Sequence, residues 1–340
     1  MQYRMLGKTG LTVSEVSFGG IPIIRLSVGE AVSVLHRAFD RGINFYDTAN
    51  AYRDSEHKMG RAFRDRRDRV ILATKTGRRD GAGALEHLEN SLRMLETDYI
   101  DLYQLHQVAQ EKDWEAAAAP GGALEVVRKA QAEGKVRHIG VTSHSLPMAI
   151  KLVRTGLFAT VQFPFNFIED AAKDELFPTA LERGMGILAM KPFAGGVLDN
   201  ASLVFKFLRQ YPDAIPIPGF DSPQAVDEIV GLYAGPNSVG ADDLALMDRY
   251  RAELGQRFCR RCEYCLPCPN GVAITGAMGY RVTVARLSPK GAVGFSGRFM
   301  DTVANCTQCG LCATRCPYEL DIPAILKQHY DLYETHRALD

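Results

Sequence analysis

Four polar residues in the first part of the chain have types and positions that could do chemistry together. Asp47 closes the run INFYD, Tyr52 follows five residues later, Lys75 closes VILATK and His106 closes IDLYQLH. Taken singly, each has an ordinary structural role: Asp47 as a helix cap, Lys75 as its ion-pair partner, His106 as a buried imidazole, Tyr52 as rim packing. Taken together they form a proton donor with its tuning set. A tyrosine has an unperturbed pKa of about 10, too high for ready proton transfer near neutral pH, and a neighbouring ammonium lowers it by favouring the phenolate. Lys75 can supply that charge, Asp47 would hold Lys75 protonated and aimed, and His106 can hydrogen-bond the oxygen that Tyr52 protonates. Such a set is an acid poised to catch a developing alkoxide.

The second set is thiol. All eight cysteines fall in the last 82 residues, in two runs: Cys259, Cys262, Cys265 and Cys268 before Pro269, then Cys306, Cys309, Cys312 and Cys316 before Pro317. The second run has the C-x2-C-x2-C-x3-C-P spacing of [4Fe–4S] ligands, and the first differs from it by one residue. Two four-cysteine zinc sites are the competing reading, because C-x2-C pairs build those as well. Zinc needs only two pairs, leaving the third cysteine and the Cys-Pro unexplained, so iron–sulfur ligation is preferred. Disulfides rank below both, because the chain is not a short stapled scaffold and MQYRMLGKTG lacks the apolar core of a secretory signal. A cytoplasmic protein is expected.

The elements that must position these groups are legible as a rhythm. Eight short apolar or β-branched runs, EVSFGG, INFYDTA, VILATKT, IDLYQLH, VRHIGVTS, ATVQFPFN, GILAMKP and AIPIPGF, alternate with amphipathic helical segments. Their ends recur about every 28 residues, the length of one unit of a (β/α)8 barrel. An open doubly wound sheet would normally carry a GxGxxG turn after its first strand, and none is present. Residues 2–13, QYRMLGKTGLTV, read as a hairpin capping the barrel's bottom, and helical segments running into Gly42, Gly134 and Gly184 end at natural helix stops. In such a barrel, polar residues at the C-terminal strand ends are read as chemistry first. Composition changes near residue 255, where cysteine, proline and glycine replace the βα rhythm. The expected organisation is a TIM barrel over 1–254 and a mostly helical, ferredoxin-like domain over 255–340.

The segments FYDTANAYRDSEHKMGRAF, ILATKT, DLYQLH, GKVRHIGVTSH, VQFPFN, GILAMKPFAGGVL and IPGFDSPQAVDE resemble, in order, those of the aldo-keto reductase superfamily. The resemblance implies a (β/α)8 barrel that binds NADP or NAD without a Rossmann domain and reduces aldehydes or ketones by hydride transfer. It assigns the tetrad to Asp47, Tyr52, Lys75 and His106, with Tyr52 as the acid. It assigns the nicotinamide carboxamide to Ser143 and Gln162, and the pyrophosphate to backbone from Pro192 and Phe193 through Gly196 to Leu198. Ser222, opening a helix, would offer its N-terminus to phosphate, and Glu228 would meet adenine. Basic residues that would pair a 2′-phosphate are replaced by Gly219 and Ala225, and Asp221 would repel one, so NADPH specificity is not expected. Met190 stands where many members stack an aromatic ring on nicotinamide.

The tail resembles the ferredoxin extension of one branch of that superfamily. By analogy with two-cluster ferredoxins, whose cysteine before proline serves the other cluster, one cluster would take Cys259, Cys262, Cys265 and Cys316 and the other Cys306, Cys309, Cys312 and Cys268. The clusters are structural or regulatory in the first reading. In a second they exchange electrons with a ferredoxin or flavoprotein partner, and in a third the tail is only a docking or folding module.

Lys plus Arg and Asp plus Glu number 40 each, so no global field recruits nucleic acid or an anionic membrane. No stretch approaches the ~20 apolar residues of a membrane span. The zero net charge divides into −3 over residues 1–250 and +3 over 251–340, from 29 against 32 and 11 against 8 charged residues. Two oxidised clusters at about −2 each would leave the tail near −1, so Arg257, Arg260, Arg261 and Arg315 read either as local compensation or as ordinary surface charge.

Overall fold

The computed structural model describes residues 1–255 and 257–339. Two compact units divide them: Met1–Phe193 with Asn200–Val239, and Ala194–Asp199 with Gly240 onward.

In the first unit a hairpin of β1 (Tyr3–Met5) and β2 (Thr12–Ser14) precedes eight parallel strands paired in chain order. These are β3 (Phe18–Gly19), β4 (Phe45–Asp47), β5 (Ile71–Thr76), β6 (Ile100–Leu105), β7 (Val136–Thr142), β8 (Thr160–Pro164), β9 (Gly186–Met190) and β10 (Ala214–Ile217). The edges meet through a parallel bridge between Gly19 and Gly219, and the Gly19 N–H donates to the Pro218 carbonyl at 2.7 Å. The sheet is therefore the expected (β/α)8 barrel. A parallel strand in a barrel is dry on both faces, one against helices and one against the interior, which is why β6 and β8 are buried at every residue, their polar Asp101, Gln104 and Gln162 included.

The hairpin fills the N-terminal end, where Leu6 and Val13 join Phe45, Ala73, Leu102, Leu188 and Ile215 in one buried cluster. Around the sheet lie α1 (Val28–Asp40), α2 (Ser55–Phe63), α3 (Gly81–Met94), α4 (Glu111–Ala118), α5 (Ala123–Ala132), α6 (Leu146–Arg154), α7 (Leu176–Glu182), α8 (Ala201–Leu208) and α9 (Pro223–Ala234). Side-chain caps start several of them: a Ser27–Glu30 capping box on α1, Asp80 on α3 and Ser222 on α9. Gly42, Gly134 and Gly184 carry the positive φ that ends α1, α5 and α7. The rhythm is broken once, by α4, an additional helix between β6 and α5.

The second unit contains α10 (Ala241–Leu254), α11 (Ile274–Ala277), α12 (Tyr280–Met300), α13 (Leu311–Thr314) and α14 (Ile322–Arg337), with no strand among the described residues. Its core gathers Val272, Ile274, Ala277, Tyr280, Met300, Leu320, Leu326 and Tyr333, with Cys259, Cys268, Cys306, Cys312 and Cys316 packed against it. Within α12 the chain breaks at Ser288, whose φ is +71°, before Pro289, which has no N–H to continue the ladder. The boundary differs from the one at residue 254 expected from composition. Helix α10 groups with the tail, buries only Met247 along its length, and its Tyr250 hydroxyl donates to Asp199 Oδ1 at 2.5 Å. No helix among the described residues is long and apolar enough to cross a membrane.

At the N-terminal end of the barrel, the buried Asp101 carboxylate accepts from Arg67 Nη2 at 2.7 Å, Arg137 Nη1 at 2.9 Å and the Leu72 N–H at 3.0 Å. The Tyr99 ring lies between the two guanidiniums, at 4.0 and 3.9 Å from their central carbons. Removing the carboxylate strands Arg67, whose side chain is only 13% exposed. Asp101→Ala should cost about 3 kcal/mol of stability, read as a drop in denaturation midpoint. A loss no larger than that of Arg137→Ala would show that the pair does not depend on the buried carboxylate.

Candidate active site

Strand register brings the four polar residues to one end of the barrel. Asp47 is the last residue of β4, where it pairs with Gly19 of β3 on one side and Ala73 of β5 on the other. Two residues farther along β5 is Lys75, opposite Gln104 of β6, and His106 follows β6 directly. Gly20 lets the chain pass close behind Asp47: its N–H donates to the Asp47 carbonyl at 2.8 Å, and a Cβ there would stand 2.6 Å from Ser55 Oγ. The loop carrying Tyr52 is fixed at both ends, by Thr48 N–H to the Ala73 carbonyl at 2.8 Å and by Thr48 Oγ1 donating to Ser55 Oγ at 2.9 Å.

Lys75 Nζ donates to Asp47 Oδ2 and to the Thr48 carbonyl, both at 2.6 Å. Both side chains are buried, at 1% and 5% exposure, so this ion pair is shielded from solvent. The ammonium lies 5.2 Å from the centroid of the Tyr52 ring, which meets the His106 ring edge-on at 5.7 Å. Burial pushes the Asp47 carboxyl up, against the pull of the Lys75 ammonium and two amides. Those amides are Gln104 Nε2, 3.1 Å from Oδ1, and Gln162 Nε2, 3.4 Å from Oδ2. His106 is pushed down to about 3, first by desolvation and then by the charges of Lys75 and Arg79, so its ring is neutral at physiological pH. A neutral imidazole keeps one N–H to donate.

Gln104 is a member of this constellation that the sequence reading does not single out. Its signal is a polar residue at the C-terminal end of a buried strand, two positions before His106, which puts both on one face.

Gln162 sits beside the tetrad as expected, and its Oε1 is buried without a hydrogen-bond partner. An unpaired buried acceptor there suits an amide N–H, so the residues present fit a nicotinamide carboxamide. Ser143 neighbours Gln162 through its N–H, 3.2 Å from the Gln162 carbonyl, but its hydroxyl donates to the Ser145 carbonyl at 3.2 Å and closes a local turn. Pro192 is buried, and Phe193 packs edge-on against Phe205 at 5.9 Å. Gly196 and Leu198 fall in the segment that groups with the second unit. Ser222 spends its hydroxyl capping α9 through the Ala225 N–H, and Glu228 is exposed on that helix. Asp221 is ion-paired with Arg25 at 2.6 Å.

In the second unit the eight cysteines are reduced, with Cys265 buried and Cys309 exposed. One cavity is lined by Cys265, Cys268, Cys306, Cys309 and Cys312, with Pro267, Pro269, Val272, Ile274 and Leu326 in a wall without charged side chains. The others associate across the two runs. Cys262 is pushed up first by burial, then by the neighbouring Cys259 and Cys316, and Cys265 is pushed up to about 12 by burial and the nearby Cys259, Cys262 and Cys312. Among the described residues no three His, Cys, Asp or Glu converge to hold a single metal ion. Thiols spread around a cavity are the donor set a four-iron cluster requires. The two runs are also joined by Arg315 Nη1 donating to the Pro267 carbonyl at 3.1 Å.

A profile described as the Aldo/keto reductase family matches residues 16–204, and one described as a 4Fe-4S dicluster domain matches residues 258–321. The uncharacterized oxidoreductase YrpG of Bacillus subtilis is 30% identical over 233 residues, covering 60% of this chain and 70% of its own. The aldo-keto reductase YhdN of the same organism is 31% identical, and the match spans 58% of this chain and 64% of YhdN. Among solved structures, a chain assigned to the aldo-keto reductases from Pseudomonas aeruginosa is similar at TM-score 0.61 and 26% identity, covering 68% of this chain and 94% of that one. An aldo-keto reductase from Bacillus halodurans in its holo form, 23% identical, shares the fold at TM-score 0.62 over 73% of this chain and 96% of its own.

The His106 environment sets a pH dependence. Because the folded ring resists protonation, the unfolded chain binds more protons below the ordinary imidazole value of about 6.5. Stability should fall as pH drops from about 6.5 toward 4, and His106→Asn should flatten that slope in denaturation measured across the range. An unchanged slope in the variant would contradict the assignment.

Proposed function

Because the chain belongs to the Aldo/keto reductase family and carries a C-terminal 4Fe-4S dicluster domain, we propose that it reduces an aldehyde or ketone with NADH or NADPH, using Tyr52 as general acid. The observation that carries this reading is the buried Lys75–Asp47 pair at 2.6 Å beneath the Tyr52 ring, with a neutral His106 at its edge. The nicotinamide, when bound, supplies the hydride to the carbonyl carbon. Tyr52 gives its phenolic proton to the carbonyl oxygen, and the product is an alcohol. Lys75 makes that transfer easier by stabilising the phenolate left behind. Asp47 and the Thr48 carbonyl hold the Lys75 ammonium and fix its direction. The N–H of neutral His106 holds the carbonyl oxygen while charge builds on it. Gln162 presents its unpaired Oε1 to the carboxamide N–H and so selects which face of the ring meets the substrate.

For the nucleotide, NADH is the preferred form. Gly219 and Ala225 offer no cation to a 2′-phosphate, and Arg25, the base near the start of α9, is already paired with Asp221. In the tail, the cavity supports ligation of one [4Fe–4S] cluster by Cys268, Cys306, Cys309 and Cys312, and the proximity of Cys259, Cys262, Cys265 and Cys316 supports a second. The clusters serve structure or regulation in this reading. A second reading, electron exchange with a ferredoxin or flavoprotein, draws on Cys309, an exposed thiol at the rim of the cavity.

Steady-state reduction of small aldehydes and ketones by anaerobically prepared protein should show a lower KM for NADH than for NADPH. Tyr52→Phe should lose about 10²- to 10⁴-fold in kcat. Full activity in that variant would overturn the acid assignment, and clearly tighter NADPH binding would overturn the nucleotide preference. The same protein should contain about eight iron atoms per chain, with no loss of cluster absorbance on adding NADH or NADPH alone under argon. Bleaching would favour the electron-exchange reading.

A further inference from the structure

The proposed chemistry uses four side chains, and a fifth lies against one of them. Arg79 follows β5 in the loop TGRRD and its side chain is 18% exposed. Its Nη2 donates to the carbonyl oxygens of His106 at 2.9 Å and Gln107 at 3.0 Å, and its Nη1 to that of Gly77 at 3.3 Å. Its Nε faces Asp113 of α4, with the nearest carboxylate oxygen at 3.9 Å. The mount is rigid: the Ala123 N–H donates to the Arg79 carbonyl and the Gly81 N–H to that of Gly121, both at 2.9 Å, which joins this loop to the start of α5.

What Arg79 grips is strained. Gln107 has φ of +55°, a left-handed conformation that costs a side-chain-bearing residue free energy and persists only where its surroundings impose it. The Gln107 N–H is held at 2.7 Å by Thr142 Oγ1, while the carbonyls of both His106 and Gln107 turn to the same guanidinium nitrogen. Two adjacent carbonyl dipoles aimed at one point repel each other unless a cation stands there. With Nη1 and Nη2 already engaged by backbone and Nε turned to Asp113, Arg79 has no bidentate face left for a substrate carboxylate, so its role is directed at the backbone.

We propose that Arg79 is a positioning residue for His106: by clamping the carbonyls of residues 106 and 107 it sets the angle at which the imidazole meets the substrate's carbonyl oxygen. This rests on the reduction chemistry proposed above. Electrostatics add a second contribution. The groups facing His106 are Lys75 from β5, Arg79 from the loop after it and Tyr52 from the loop after β4. Asp47 stands behind Lys75, and Asp113 behind Arg79. Burial is the main cause that keeps the ring neutral, and Lys75 and then Arg79 add to it, so without Arg79 the ring takes up a proton at higher pH.

The test compares wild-type protein, prepared anaerobically with its iron, with Arg79→Gln and Arg79→Lys. Three quantities are read: nucleotide Kd, kcat across pH, and the titration of the His106 ring by NMR, its resonance identified by its loss in His106→Asn. Arg79→Gln should lose about 10- to 100-fold in kcat with nucleotide Kd unchanged, and both the acid limb of kcat and the ring titration should move to higher pH. Arg79→Lys, a point charge without the planar fork, should lose kcat while the ring titrates as in wild type. Wild-type kcat and titration in Arg79→Gln would overturn the proposal, and if that variant does not fold, wild-type kcat in Arg79→Lys does so. Should wild-type protein reduce no carbonyl, the reading of function fails, and the ring titration still decides whether Arg79 governs His106.

Discussion

The buried ion pair of Lys75 and Asp47 is the contact around which the rest of the barrel is arranged. Two opposite charges withdrawn from water lose several kcal/mol of solvation each, and their attraction offsets that only with close geometry and satisfied remaining donors and acceptors. Here the geometry is 2.6 Å, Thr48 supplies a second acceptor for the ammonium, and Gln104 and Gln162 supply donors for the carboxylate. Four strands, β4, β5, β6 and β8, therefore place a side chain at one point, and the loop after β4 contributes a carbonyl. A sheet that did not curve through that point would leave a charge stranded.

Function follows from where this expensive arrangement sits. It lies at the C-terminal ends of the strands, next to Tyr52 and His106, so the proposed acid stands beside the buried ammonium. The loops are not loose additions. Residues 48–55 are knitted to β5 and α2, and residues 77–81 to the loop before α5, which turns short polar segments into rigid mounts. Arg79 extends the same logic by stabilising a backbone turn that would not hold by itself.

The second unit solves a different problem. Its core is a set of aromatic and aliphatic residues with cysteines along one side, and burial disfavours the charged form of several of those thiols. Thiols that resist ionisation in the bare fold become thiolates when iron is bound, so cluster assembly and the stability of this unit are coupled. Free energy that a small, thiol-rich fold does not gain from its apolar core can come from metal ligation.

Much of this was written locally. The eight apolar runs, the Asp, Tyr, Lys and His at their ends and the two cysteine runs are patterns of residue type and spacing, and short-range rules suffice to read them. Secondary structure in a barrel repeats, so period alone predicted the closure that Gly19 and Gly219 complete. What tertiary structure decided were pairings between distant positions. Gln104 reaches Asp47 across 57 residues, Arg25 reaches Asp221 across 196, and Tyr250 of α10 reaches Asp199 across 51. Ser143 likewise turns its hydroxyl to a neighbour instead of leaving it open. Local spacing determines which face a residue occupies. Which partner it meets there depends on how whole strands and loops pack, and no stretch of sequence encodes that by itself.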